Sequence, residues 1–472
     1  SERWQKEQKV YYWPDIAKRE DPADFATRIT NHTKEQNFYN TSPAISSQGD
    51  KIAFITDRDD YFDVYVISTI DNKLTKIVDG QRTKNFEELH LLTPGISWSP
   101  DGKRIALAAK SGEHDAIYLI DIAGGDEEKI EFELDGIFSV DWSKKGDKIA
   151  FVGNELQQSD IYVYDLKTKS LTNTTNDIFS DSDPTWAPDG KTIYFVSDRR
   201  DYVRKEKLPA TFKISKYDYS KLDIYSLNTE TSEMKRITDY PKSDETSPVI
   251  SPDGTKMLYV SDRNGIGNMY ERNLLSGADR PITNSITGVY QLSLSADGNK
   301  LTFSSLNQAG FDIFLLKTPF DKKLTTNELE PTEYIKRATQ STQKKDSIAL
   351  TVLESAKDTA SVYGDNIRVD LKSYVFAEEP AVEKEQPPKD KYNAISDNVD
   401  EEGNYKINKY KLNFSPDIVY GNAAFSTFYG VQGTTMMAFS DMLGDHQILF
   451  LTNLLLDLKN SDYVLPITIC QT

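Results

Sequence analysis

A glycine-centred turn recurs six times along this chain, and nothing else in the sequence constrains its fold as tightly. The copies read ISSQGDKIAFI, SWSPDGKRIAL, DWSKKGDKIAF, TWAPDGKTIYF, VISPDGTKMLY and SLSADGNKLTF, with glycines at positions 49, 102, 146, 190, 254 and 298. Three of the five spacings are 44 residues; the other two, 53 and 64, are the same period carrying insertions. Four residues before each glycine stands a large apolar residue: Ile45, Trp98, Trp142, Trp186, Ile250 and Leu294. Three residues after it stands another: Ile52, Ile105, Ile149, Ile193, Met257 and Leu301. A tight hairpin needs a residue that tolerates positive φ, and Asp and Pro ahead of it favour the same turn.

A second signature follows each turn: DVYVI, AIYLI, DIYVY, DIYSL, NMYER and DIFLL. Several units then close on Ile-Thr, as in KRIT (235–238) and RPIT (280–283). Each unit reads as strand, glycine turn, strand, polar loop, strand, short turn, strand. Four strands in about 44 residues make one propeller blade, and a single blade cannot bury both faces. The predicted fold is all-β, a six-bladed β-propeller over 25–330. A helical lead-in (1–24) precedes it, with Pro14 breaking or restarting the helix. The larger insertion falls in blade four, at Tyr202–Lys221. The sixth unit lacks a clear outer strand, whereas FATRIT (25–30) carries the ending of the fourth strands. The expectation is that 25–30 supplies that strand and closes the ring, which removes an exposed edge.

These units resemble TolB-type propellers, which pair a Ser-Pro-Asp-Gly turn with an Asp-Ile-Tyr strand. The resemblance runs from about Ala26 to Pro319. Blade three departs from it with SKKG and blade one with SSQG, and both keep the glycine.

Beyond the repeat, residues 331–404 form a linker with weak strand signals at 337–375 and a charged, proline-rich stretch at 377–404. The segment 405–472 predicts about four β-segments, with turns at LGD (443–445) and KNSD (459–462). It resembles the start of the outer-membrane barrel that follows TolB-like propellers in large bacterial peptidase–propeller–barrel surface proteins. That resemblance implies a tail at the outer membrane and a zincin-like peptidase domain upstream. A closed barrel needs at least eight strands, more than this tail can supply.

Composition narrows the functional classes. The formal net charge is −18, which disfavours a phosphate backbone as partner, so no nucleic acid is expected. The single cysteine, Cys470, excludes an internal disulfide framework. No apolar run reaches the length of a membrane helix.

No catalytic constellation is found. The four histidines, His32, His90, His114 and His446, form no His-Glu-x-x-His, so neither a metal nor a cofactor is expected. The Gly-x-Ser-x-Gly elbow of serine hydrolases is missing too. The loops TDRDDYFD (56–63), SDRRDYV (197–203) and SDRNGIGN (261–268) lack the ordered ligand spacing of a calcium loop. They have two readings. In one, Asp and Arg cap the turns and pair with neighbouring blades. In the other, Asp57, Arg58, Asp60, Tyr61, Asp198, Arg199, Tyr202, Asp262 and Arg263 ring a channel mouth and bind a partner. The three tryptophans share one register, which marks a packing position.

The resulting expectation is a non-enzymatic, protein-binding scaffold of the bacterial cell envelope, in the periplasm or on the cell surface. It takes a protein or peptide at the propeller face and is tethered to the outer membrane by its tail. The alternative is an accessory propeller that positions substrate for a metallopeptidase domain encoded upstream.

Overall fold

The structure, a computed structural model, describes residues 2–81, 85–91, 93, 95–112, 114–155, 158–203, 208, 212–213, 216–339, 414–426, 430–441, 446–455, 457–464 and 467–469. The chain divides into two compact units, Ser1–Ser361 and Val362–Thr472.

Six sheets make up the first unit, all antiparallel. Blade one runs Asn40–Ile45, Lys51–Thr56, Asp63–Ser68 and Leu74–Val78. Blades three, four and five repeat the same consecutive order. Blade two adds a two-residue strand, Glu88–Leu89, beside Arg104–Ser111. Blade six is built from both ends of the unit: Thr27–Arg28 pairs with Gly310–Lys317, Thr27 opposite Leu315 and Arg28 opposite Phe314.

Alternation explains how the blades stack. Successive side chains on a strand face opposite ways, so each blade feeds two interfaces. In Arg104–Ser111, Ile105, Leu107 and Ala109 join an apolar cluster with blade one, while Ala106 and Ala108 join a cluster with blade three. Six such clusters, one for each pair of adjacent blades, close the ring, including blade six against blade one through Ile313, Leu315, Ile45 and Phe54. Each fully buried Ile or Phe contributes roughly 1.5–3 kcal/mol relative to an exposed one. Trp98, Trp142 and Trp186 are all buried in these interfaces, as their shared register predicts.

The glycine turns behave alike. In every blade the glycine N–H donates to the carbonyl three residues back, as Gly102 does to Ser99 at 2.9 Å and Gly254 to Ser251 at 2.8 Å. These turns join first to second strands, and the polar loops join second to third strands, so the two sets lie on opposite faces.

The lead-in is helical over Glu2–Ile16, and Pro14 sits inside the helix. Short helices cover Pro22–Phe25 and His32–Glu35, and 333–339 is also helical, so 337–339, expected as weak strand, is helix. The rest of the expected linker, 340–404, lies outside the described residues. In the second unit, Phe414–Ser426, Gly430–Asp441, His446–Leu455 and Asp457–Val464 pair consecutively, and Ile467–Ile469 also pairs with His446–Leu455. The turn expected at 459–462 is instead strand: Asp462 pairs with Asn453 and Tyr463 with Thr452. Ladder pairing overrides the turn propensity of Asn and Asp there. The turn expected at 443–445 lies outside the described residues.

Candidate functional site

The polar loops reuse one device. Asp57, Asp198 and Asp262 each follow the second strand directly, and each accepts the backbone N–H of the residue just before the first strand. Asp57 holds Tyr39 at 2.9 Å, Asp198 holds Ser180 at 3.1 Å and Asp262 holds Asp244 at 2.9 Å. The arginine that follows turns onto the aromatic residues of its own blade. Arg58 pairs with Glu35 and lies 5.3 Å from the Tyr65 ring. Arg263 lies 3.6 Å from the ring of Tyr240 and 4.0 Å from that of Tyr270. Arg199 is 1% exposed, bonded to Asp177 at 2.6 Å and Asp181 at 2.5 Å. Tyr202 joins Phe179, Phe212 and Tyr217 in an aromatic cluster.

Of the nine residues singled out from sequence, Asp60 and Tyr61 are thus the most exposed of blade one's four, at the tip of its loop; Asp262 is exposed on blade five, and Asp198 is buried with Arg199. Blades one and four stand diametrically opposite in a six-membered ring, so the three loops do not form one contiguous patch.

Beside Tyr61 the structure brings together residues that no motif had marked. Phe62 meets Tyr39 at 5.8 Å between ring centroids, Tyr39 stacks on Phe311 at 6.2 Å, and Phe311 meets Tyr290 at 6.1 Å. Phe311 N–H donates to the Phe38 carbonyl, fastening blade six to the segment before blade one. Phe38 is 64% exposed, and Tyr61, Tyr290 and Leu306 are 40–47% exposed. Exposed aromatic residues in contact with one another are a feature of recognition surfaces. The sequence held a faint signal, the paired aromatics of QNFYN and DYFD at positions where a solvated loop would be polar.

A second feature lies on the axis. The first strands of all six blades line a cavity of about 350 Å³ that reaches the glycine-turn face, where Pro100, Pro188 and Pro252 stand. Its charged lining residues are Asp141, Asp183 and Lys144. In five blades the first strand carries a bulge, at Ser42, Ser139, Asp183, Ser247 and Gln291, each with positive φ. Below the bulges, neighbouring blades are laced together. The Asp141 carboxylate accepts the Ser97 hydroxyl at 3.0 Å and the Trp186 N–H at 2.7 Å. Ser97 Oγ in turn accepts the Trp142 N–H at 3.0 Å, and Ser293 Oγ accepts the Ile45 N–H at 3.1 Å. Among the described residues no group of three or more His, Cys, Asp or Glu side chains could hold a metal ion. His32 pairs with Asp312 and His90 with Asp115.

Residues 78–202 match the family model described as the TolB beta propeller domain. The chain carries a TolB-like six-bladed propeller. This propeller is 29% identical over 164 residues to the uncharacterized protein Atu1656 of Agrobacterium fabrum, which covers 34% of this chain and 49% of that one. It is 28% identical over 123 residues to the uncharacterized peptidase YuxL of Bacillus subtilis, covering 25% of this chain and 16% of that one. The matches thus span about half or less of these relatives' own length. Among solved structures, TolB from Acinetobacter baumannii is similar at 21% identity and a TM-score of 0.43, covering 57% of this chain and 64% of that one. Among the described residues no helix is long and apolar enough to cross a membrane.

Proposed function

We propose that the TolB-like propeller is a non-enzymatic module of the bacterial cell envelope that binds a protein or peptide on its loop-bearing face. The observation that carries this reading is the aromatic patch of exposed Phe38, Tyr39, Tyr61 and Tyr290 around half-buried Phe311 at the junction of blades six and one. Aromatic side chains supply large contact area at low entropic cost, and they dominate binding hot spots. Asp60, exposed and next to Tyr61 in the chain, suits a partner segment with a basic residue beside its apolar anchors.

The reading places the protein in the periplasm or on the cell surface. Support for a tail at the outer membrane comes from strand length: the strands of 13, 12 and 10 residues reach the roughly 9–11 residues that a tilted membrane strand needs.

Selection from a displayed random-peptide library tests the binding reading. The full chain should enrich a common apolar–basic class, and the pair F38S and Y290S should lose it by tenfold or more with the unfolding midpoint unchanged. Identical enrichment by both proteins overturns the reading.

The accessory-propeller reading is favoured by one observation, the similarity to a protein described as a peptidase. A His-Glu-x-x-His sequence encoded upstream of Ser1 would support it, and a signal peptide directly before Ser1 would overturn it.

A further inference from the structure

The axial cavity is separate from the aromatic patch, because it reaches the opposite face. We infer that it is a second binding site, and that it takes a primary ammonium group, from a lysine side chain or a peptide amino terminus, against Asp183 and Asp141. The proposal does not rest on the function of the loop-bearing face.

Four observations converge on it. First, the cavity is preformed. Its wall contains Pro43, Pro184 and Pro248 directly after three of the bulges, and Pro100, Pro188 and Pro252 at its outer rim. Proline has no N–H, so these positions blunt the inward-facing edges of the first strands and stiffen them. Second, the volume of about 350 Å³ suits one amino-acid-sized group, and the apolar rings of proline and Trp98 suit an aliphatic stem.

Third, the two carboxylates are not equivalent. Asp141 is occupied by donors from both neighbouring blades. Asp183 has backbone φ +47° and receives the Ser247 N–H at 3.2 Å on one oxygen. Among the described residues neither carboxylate has an ion pair with a cation. Burial pushes the Asp183 carboxyl up, against the opposing pull of its bonds to Ser247. An ammonium group arriving at this carboxylate from the cavity would supply a counter-charge that its bonds to Ser247 do not.

Fourth, Lys144 is the one cation among the lining residues, and it is exposed on the glycine turn of blade three. At the rim it opposes a cationic ligand rather than neutralising the interior. This gives the site a sign test.

The probes are N-acetyl-lysine methylamide, its norleucine counterpart and diglycine amide, titrated into the full chain by calorimetry and ligand-observed NMR. The lysine derivative, the diglycine amide or both should bind at least tenfold more tightly than the norleucine derivative. Whichever binds identifies the source of the ammonium group. Asp183→Asn should lower that affinity at least tenfold. Asparagine keeps the acceptor for Ser247 and tolerates the left-handed backbone, so the fold is expected to survive. Lys144→Ala should leave the affinity equal or raise it. The F38S and Y290S pair, which tests the other face, should leave probe binding unchanged. Equal binding of the norleucine derivative, no binding of either amine, full affinity in Asp183→Asn or weakened binding in Lys144→Ala overturns the proposal.

Discussion

The hydroxyl of Thr30 donates to the carboxylate of Asp312 at 3.0 Å, joining residues 282 positions apart. The same hydroxyl accepts the Ile313 N–H at 2.9 Å. Blades three and five make the same arrangement locally: Thr175 with Asp160 and Ile161, and Thr283 with Asn268 and Met269. In blade four, Thr238 accepts the Ile224 N–H at 2.8 Å. The Ile-Thr ending and the Asp-Ile-Tyr strand are two halves of one hydrogen-bonded clasp, and blade six completes it with the start of the chain.

Cutting that clasp should weaken the whole ring. Thr30→Val keeps the shape but strands the Ile313 N–H, which should cost about 2 kcal/mol. Asp312→Ala removes an acceptor shared by Thr30, the His32 N–H, the His32 ring and Arg28, and should cost about 3–5 kcal/mol. Urea unfolding followed by tryptophan fluorescence measures both. A Thr30→Val protein as stable as the parent would remove the clasp from the account.

Glu245 predicts a pH dependence. It is fully buried at the start of a blade-five strand, with one oxygen accepting the hydroxyls of Ser243 and Ser261 and the other without a hydrogen-bond partner. Burial raises its pKa to about 7 from an ordinary 4.5, with the two serines opposing the shift. An acid whose folded pKa is raised adds no penalty when both states are protonated. Folding stability then falls as pH rises from about 4.5 and reaches its full loss above about 7. The span corresponds to roughly 3 kcal/mol. Glu245→Gln should remove this loss, so the variant gains stability over the parent at pH 8 and little at pH 4.5. Parallel stability profiles for the two proteins would count against it.

Two arginines of the same sequence motif should behave differently. Arg199→Ala leaves Asp177 and Asp181 as uncompensated buried charges and should cost about 3–5 kcal/mol. Arg58→Ala loses an ion pair with the partly exposed Glu35 and should cost about 1 kcal/mol or less. Thermal unfolding of the two variants decides; equal losses would mean that burial does not separate them.

The turn glycines separate backbone strain from crowding. Gly254 has φ +71° and open space around an added Cβ, so Gly254→Ala should cost only the left-handed conformation, about 1–2 kcal/mol. Gly102 has φ +68°, and an added Cβ would lie 2.2 Å from Gln48 Oε1 of the preceding blade. Gly102→Ala should cost more, and Gln48→Ala should relieve the excess. No relief in the double variant would refute the crowding argument.

Blade number and strand order were legible in the sequence because they rest on a local pattern repeated six times, and the closing role of 25–30 was legible because FATRIT carries the ending of the fourth strands. A turn glycine, a strand-opening Asp and a closing Thr act within one blade, and a period of 44 residues exposes them. Tertiary structure alone decided how the loop residues are used. Asp57, Asp198 and Asp262 look alike as polar loop residues, yet all three cap a neighbouring backbone, and Arg199 is buried where Arg58 is not. It also decided that Phe38 and Phe311, 273 positions apart in the sequence, share one surface, and that Asp183 lines a cavity without an ion pair to a cation among the described residues. These outcomes depend on which blade stands next to which and on what the ring encloses. Side-chain pairing across blades is set by distances in space, and the spacing of residues along the chain does not encode them.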